Sequence, residues 1–266
     1  MIELYHNAFS SCSQKVRIVL GEKGIGWKSH EIDLQGGGQH DPEYVKLNPN
    51  HVVPTLVHDG RVFIESTLIN EYLDDEFPNP PLRPGDPVER HAMRLFVKHI
   101  DEKVHPAAGV ITYGIATRPM ILGQPPEVQE AAWSQIPDPA RRAARKSVIE
   151  NGIEAPEMRG AVGAFIGMLD EMEATIDDRG PWVCGEHFSL ADACALPYVL
   201  RLEHLAMGSQ LAAGVRPRVA RWFAEIQALE SYEEMISGQL LAPILAMFQK
   251  NAEEVRGELD ALIASL

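Results

Sequence analysis

Cysteine is scarce in this 266-residue chain, with Cys12, Cys184 and Cys194 as its three examples. The number is odd, and there is no C-x-x-C pair and no zinc-ligand spacing, so neither a disulfide framework nor a metal site is expected. Positive charge is also short: 24 Lys and Arg stand against 38 Asp and Glu, a net charge of −14. Such a balance disfavours sequence-independent binding to nucleic acid or to anionic lipid. No apolar run approaches the ~18 residues that a membrane span needs. The N-terminus has no charged-then-apolar leader, so a cytoplasmic location is expected. Hydrophobic residues at 45% and charged residues at 23% describe an ordinary globular protein with one large or two ordinary domains.

The most informative stretch is the opening. Ile2 to His6 reads as a short strand, Asn7 to Ser13 as a hydroxyl-rich loop containing Cys12, and Gln14 to Leu20 as the body of an amphipathic helix. Three hydroxyls and one thiol thus collect at a helix start, where unpaired N–H groups and the helix dipole favour an anion. That anion is a thiolate, either of Cys12 itself or of a bound thiol cofactor. Ser10, Ser11 and Ser13 also suit helix capping without any ligand.

Residues 48–72 continue the pattern as turn, strand, tight turn, strand and helix. Asp59-Gly60 lies between Thr55-Leu56-Val57 and Val62-Phe63-Ile64, the signature of a two-residue hairpin. With a second strand at Trp27 to Ile32, the order is β-α-β-α-β-β-α, a thioredoxin-like domain over residues 1–78. The proline-rich stretch around 79–88 cannot continue a helix and reads as a linker. Residues 89–266 read as all-helical, with periodic patterns from near Val88, Glu127, Arg159, Ser189, Val215 and Ser231. Cys194 falls in an apolar helix and reads as a core residue. Ser189 and Asp192 form a helix start of the capping-box kind. Residues 114–160 mix Gly, Pro and charge, Pro137 among them, and suit either a solvated helix hairpin or a wall of a substrate pocket.

The SSCSQKVRIVL, NPNHVVPTL and ESTLINEYL segments and the later GEHFSLAD, in that order over almost the whole chain, resemble the cytosolic glutathione transferase family. The opening is most similar to zeta-class maleylacetoacetate isomerases and bacterial tetrachlorohydroquinone dehalogenases, and the stretch from about Glu43 to Pro106 to bacterial β-etherases. The resemblance implies glutathione as co-substrate. It places Val53 before a cis-Pro54, so that the Val53 backbone can pair with an extended peptide. Glu65 and Ser66 would meet the γ-glutamyl ammonium and carboxylate, and Gln39 and His40 the glycyl carboxylate. Ser10 matches the activating serine of theta- and zeta-like members and Cys12 the cysteine of the zeta and dehalogenase motif, with Ser11 and Ser13 as further donors. Tyr5 lies inside the first strand and does not match the catalytic tyrosine of other classes.

Two mechanisms stay open. A serine hydroxyl can stabilise the glutathione thiolate for attack on an electrophilic carbon, or Cys12 can act covalently by resolving a glutathionyl adduct. The implied acceptor is a small hydrophobic or aromatic electrophile, through aryl ether cleavage or dehalogenation. Maleylacetoacetate-type isomerisation and a non-catalytic interaction module are the alternatives. His105, Pro106, Tyr113 and Met120 are candidates for lining the acceptor pocket, with Tyr113 as a proton donor. A homodimer is implied by the family, without nucleic-acid or membrane partners.

Overall fold

A computed structural model of the chain describes residues 1–136 and 138–266, and Pro137 lies outside the described residues. Its strands are β1 (Ile2–His6), β2 (Trp27–Glu31), β3 (Thr55–His58) and β4 (Arg61–Ile64). They form one sheet in the order β2-β1-β3-β4, with β1 parallel to β2 and the other pairs antiparallel. Helices α1 (Ser11–Glu22), α2 (Pro42–Leu47) and α3 (Ser66–Glu76) complete a thioredoxin-like β-α-β-α-β-β-α order.

All later elements are helical, apart from an isolated bridge between Trp182 and Gly185. They are α4 (Pro87–His99), α5 (His105–Ile111), α6 (Arg118–Leu122), α7 (Pro126–Ser134), α8 (Pro139–Asn151), α9 (Pro156–Thr175) and α10 (Leu190–His204), followed by α11 (Pro217–Gln227), α12 (Glu230–Met235), α13 (Ala242–Glu254) and α14 (Arg256–Ala264). The pattern read as one run from Ser231 is three helices, parted by a 3-10 turn at Ser237–Gln239 and by a break at Val255. The 114–160 stretch holds α6 to α8, and the helical pattern read from near Glu127 corresponds to α7. Among the described residues no helix is long and apolar enough to cross a membrane, and no group of His, Cys, Asp and Glu is arranged to hold a metal.

The chain divides into two compact units. The first comprises Met1–Lys98, Thr175–Pro197 and Arg221–Leu241. Its β3–β4 hairpin turns at Asp59 and Gly60, both with positive φ (49° and 79°), as a tight two-residue turn requires. Helix α1 departs from the expected amphipathic form, since every residue from Ser13 to Leu20 is buried, Lys15 and Arg17 included. One reason is α12, which lies so close that a Cβ on Gly21 would stand 2.7 Å from Met235 Cγ. Lys23, at the C-terminal end of α1, buries its ammonium 2.7 Å from Asp74 and donates to the carbonyls of Phe77 and Pro80. That fixes the end of α3 to the proline-rich stretch.

Asp192 is fully buried in the same unit. Its carboxylate accepts from the Val183 and Ser189 backbone N–H groups, the Ser189 hydroxyl and Trp222 Nε1, at 2.7–2.8 Å. The aspartate therefore reaches back to the Ser189 N–H, as the acidic member of a capping box does, and it also ties in a loop and α11.

The second unit comprises His99–Ala174, Tyr198–Ala220 and Ala242–Leu266. Two stretches on either side of α5, Ile100–Val104 and Thr112–Ala116, are π-helical turns. Pro106 has no N–H to give to an i−4 carbonyl, and a wider turn before it accommodates that loss. Fully buried Phe165, Met168, Leu169 and Met172 on α9 form the core of this unit with Tyr198 and Leu202.

Removing the Asp192 carboxylate strands four donors in the core. Asp192→Ala is expected to lower unfolding free energy by about 3–5 kcal/mol, measured by urea denaturation. A loss below about 1 kcal/mol would contradict the anchoring role.

Candidate functional site

The sheet register gathers the expected residues of the first unit. Tyr5 pairs with Thr55, and Thr55 with Ile64, so the chain just beyond this rung is the end of β1, Pro54 before β3, and Glu65 after β4. His6 pairs with Glu31 at the end of β2, which brings the loop carrying Gln39 and His40 to the same edge. Ser10 to Ser13, Val53-Pro54, Glu65-Ser66 and Gln39-His40 thus collect at one end of the sheet.

The loop from β1 to α1 is shaped by a buried charge. Arg17 is fully buried, and its guanidinium donates to the Asn7 carbonyl (3.1 Å), the Ala8 carbonyl (3.1 Å), the Met235 carbonyl (2.7 Å) and His6 Nδ1 (3.2 Å). Arginine can only donate, so His6 Nδ1 accepts, and the ring is neutral with its proton on Nε2, which faces Ser29 Oγ at 2.8 Å. Burial, and then the Arg17 charge, push the His6 pKa down to about 4. Glu31 Oε2 lies 3.4 Å from the same Nδ1, but with the ring neutral this is no ion pair. The other oxygen of Glu31 accepts from Ala8 N–H (3.0 Å) and Asn7 Nδ2 (3.1 Å). Burial also draws Arg17 down to about 10, against the attraction of Glu31.

This frame sets the four candidate sulfur-site residues apart. Ser10 is the N-cap of α1, with φ −71° and ψ 118°, and its Oγ accepts from Ser13 N–H at 3.2 Å. Its own hydroxyl hydrogen is left to donate elsewhere. Ser11 and Cys12 form the first turn, and both are half-buried like Ser10. Ser13 is fully buried, and its Oγ takes the Asn7 N–H at 3.2 Å. It holds the loop from inside.

The Val53–Pro54 peptide is cis. Asn48 Nδ2 and the Tyr44 hydroxyl both donate to the Val52 carbonyl, at 2.9 and 2.6 Å, while no hydrogen bond takes up the Val53 N–H or C=O among the described residues. Glu65 holds φ 70° and ψ 105°, a conformation a non-glycine residue keeps only where its surroundings impose it. Its exposed carboxylate accepts from Asn50 Nδ2 at 3.3 Å. Ser66 begins α3 and is buried.

Gln39 and His40 sit in a 3-10 turn, Gly38–His40, behind Gly36 and Gly37. A Cβ on Gly36 would stand 2.4 Å from Asp33 Oδ2, because Asp33 Oδ1 binds the Gln35 and Gly36 N–H groups and folds the loop tightly. Gln39 Oε1 is buried without a hydrogen-bond partner. His40 Nδ1 lies 3.1 Å from His51 Nδ1, so one imidazole donates and the other accepts. Burial and then His51 hold the His40 pKa below its ordinary value.

His51, with φ 54°, escaped the sequence reading, as did Arg17. The signal for Arg17 was a charge inside the apolar run Val16 to Leu20; that for His51 was a histidine beside the NPN turn. A separate cavity of about 580 Å³ in this unit is lined by Tyr5, Tyr44, Glu31, Asp33, Asp41 and Glu43 among others and includes none of the expected residues. Its carboxylates make it a poor host for an anionic peptide. Cys184, half-buried under burial that pushes its thiol up to about 11, is chemically quiet.

The remaining candidates belong to the second unit. His105 begins α5 with Nδ1 3.1 Å from the Tyr198 hydroxyl, and Pro106 follows it, exposed. Tyr113 is half-buried in a π turn and Met120 half-buried in α6.

Known proteins share this fold. The sequence model of the glutathione S-transferase N-terminal domain matches residues 4–81 and that of the C-terminal domain residues 139–225, together more than half of the chain. Protein LigF of Sphingobium sp. (strain NBRC 103272 / SYK-6) is 29% identical over 243 residues, covering 88% of this chain and 92% of the relative. The crystal structure of beta-etherase LigF from strain SYK-6 superposes with a TM-score of 0.79 at 27% identity, over 88% of this chain and 98% of that one. Maleylacetoacetate isomerase of Mus musculus is 28% identical over 232 residues, with 86% and 89% covered. Tetrachloro-p-hydroquinone reductive dehalogenase of Sphingobium chlorophenolicum is 28% identical over 242 residues, with 87% and 94% covered. The chain belongs to the glutathione S-transferase family.

Proposed function

We propose that the protein transfers the sulfur of glutathione to a hydrophobic, aromatic electrophile, with aryl ether cleavage or dehalogenation as its specialisation. The observation that carries this reading is Ser10. Its Oγ is already committed as acceptor to the Ser13 N–H, so its hydrogen points to a partner outside that cap. Glutathione supplies a thiolate nucleophile. The Ser10 hydroxyl, aided by Ser11 and the start of α1, donates to that sulfur and lowers its pKa, each unit being worth ~1.4 kcal/mol.

The other residues fit the rest of the tripeptide. The unclaimed Val53 N–H and C=O suit its middle peptide unit. Ser66 and the first amides of α3 suit the γ-glutamyl carboxylate, and Glu65 its ammonium. His40, His51 and Gln39 provide polar groups for the glycyl carboxylate. In ether cleavage a carbon–sulfur bond forms and the carbon–oxygen bond breaks, the electron pair leaving with an aryloxide that then takes a proton. The superposition on beta-etherase LigF, with a TM-score of 0.79 over 98% of that chain, supports ether cleavage.

A second reading gives Cys12 a covalent part, favoured by its half-buried place in the first turn of α1. In reductive dehalogenation its thiolate would attack the sulfur of an aryl thioether. The carbon–sulfur pair would pass to the ring carbon, which is protonated, and a second glutathione would reduce the mixed disulfide.

Steady-state kinetics of three variants test these roles. Ser10→Ala is expected to lower glutathione-dependent turnover of an aryl ether about 10²-fold. Cys12→Ala should leave ether cleavage largely intact while abolishing complete reductive dehalogenation of a haloquinol. His51→Ala should raise KM for glutathione roughly tenfold with kcat retained. Equal loss of both reactions in the first two variants contradicts the division of labour, and an unchanged KM in the third removes His51 from the site.

The expected assembly is a homodimer. Val62 at the sheet edge, Leu68 on α3 and Leu95 on α4 are exposed apolar side chains of the first unit, and Arg94 and Glu71 tie α3 to α4 beside them. Analytical ultracentrifugation should give a dimer that Leu68→Glu dissociates; a wild-type monomer would refute it.

A further inference from the structure

The second unit contains a concentration of positive charge in a protein whose net charge is −14. Arg145, half-buried on α8, lies over Tyr113 with Cζ 3.1 Å from the ring centroid. Burial draws its pKa down, Tyr113 counters that, and Arg141 adds to it. Among the described residues no carboxylate lies within ion-pair distance of Arg145. Arg201, on α10, is 4% exposed. Its guanidinium lies 5.3 Å from the Phe248 ring centroid, and the Tyr198 and Tyr113 phenols are electrostatic neighbours that favour its charge. The Arg145 guanidinium thus lies on a phenol that sits in a π turn, an irregularity found frequently at functional sites.

We propose that Tyr113, Arg145 and Arg201 form an oxyanion site for the charged oxygen group, carboxylate or aryloxide, of an aromatic acceptor or product. A guanidinium stacked on a ring keeps its N–H fork in the plane parallel to that ring, where it can meet two oxygens edge-on. A half-buried guanidinium without an acidic neighbour is poorly compensated, and an anionic ligand completes it. The rings of Tyr113 and Phe248 suit an aryl carrier. As an assignment of acceptor class the inference rests on the transferase reading, but binding at the site does not.

Equilibrium binding to the full chain, followed by calorimetry without glutathione, tests it with two matched pairs: benzoate against benzamide, and 4-nitrophenolate against 4-nitroanisole. The anionic member of at least one pair should bind roughly tenfold tighter than its neutral partner. Benzoate preference marks a carboxylate substituent as the source, and nitrophenolate preference the leaving oxygen. Arg145→Met should abolish the preference and Arg145→Lys restore part of it, with glutathione affinity and Tm unchanged. Equal binding of anion and neutral partner by the wild-type protein overturns the proposal, even if Arg145→Met does not fold. A folded Arg145→Met protein that keeps the preference does so too. Anion preference in a protein without transferase turnover would sustain this site while ending the transferase reading.

Discussion

The buried guanidinium of Arg17 is the constraint on which the proposed sulfur site depends. Its donors hold the carbonyls of Asn7 and Ala8, so the chain leaving β1 must pass over α1 in one conformation. Serine 13 then closes the loop from inside through the Asn7 N–H, and Ser10 becomes the N-cap with its oxygen already in use. A flexible loop at this point would let the serine hydroxyls satisfy themselves with water. Held in place, they are preorganised donors, and preorganisation is what gives a hydrogen bond to a nascent anion its value. The cost is a buried cation, offset by the carbonyl ends it gathers and by the neutral tautomer of His6.

The sheet distributes the other contacts. One rung, Tyr5–Thr55–Ile64, decides that the cap of α1, the turn before Pro54 and the first turn of α3 share an edge. Two polar side chains then tune that edge: Asn48 fixes the Val52 carbonyl, leaving the Val53 backbone unclaimed, and Asp33 folds the glycine loop so that His40 meets His51. The second unit works by different means. Its π turns on either side of α5 bring Tyr113 to Arg145, and the polar groups there are cationic and phenolic rather than hydroxyl.

Much of this was legible in the sequence because it is local. Asp59-Gly60 between two β-branched runs specifies its turn through two positive φ values, and a serine cluster before Gln14 specifies a cap. The thioredoxin-like order and the all-helical remainder follow from such signals. What escaped is what depends on distant residues. Helix α1 read as amphipathic because Lys15 and Arg17 carry charge, whereas α12, more than two hundred positions on, covers it and supplies the Met235 carbonyl. The pairing of His40 with His51 and of Tyr113 with Arg145 is equally non-local. Ser10 and Ser13 differ in role only because one faces the loop's exterior and the other its interior, a distinction that spacing does not encode.

In the proposed function the start of α1 stabilises a thiolate. Titration of the glutathione thiol bound to the wild-type protein, followed by thiolate ultraviolet absorbance, tests it directly. The midpoint should lie at least about one pH unit below that of free glutathione in the same buffer. Coincident titrations of bound and free thiol would contradict it.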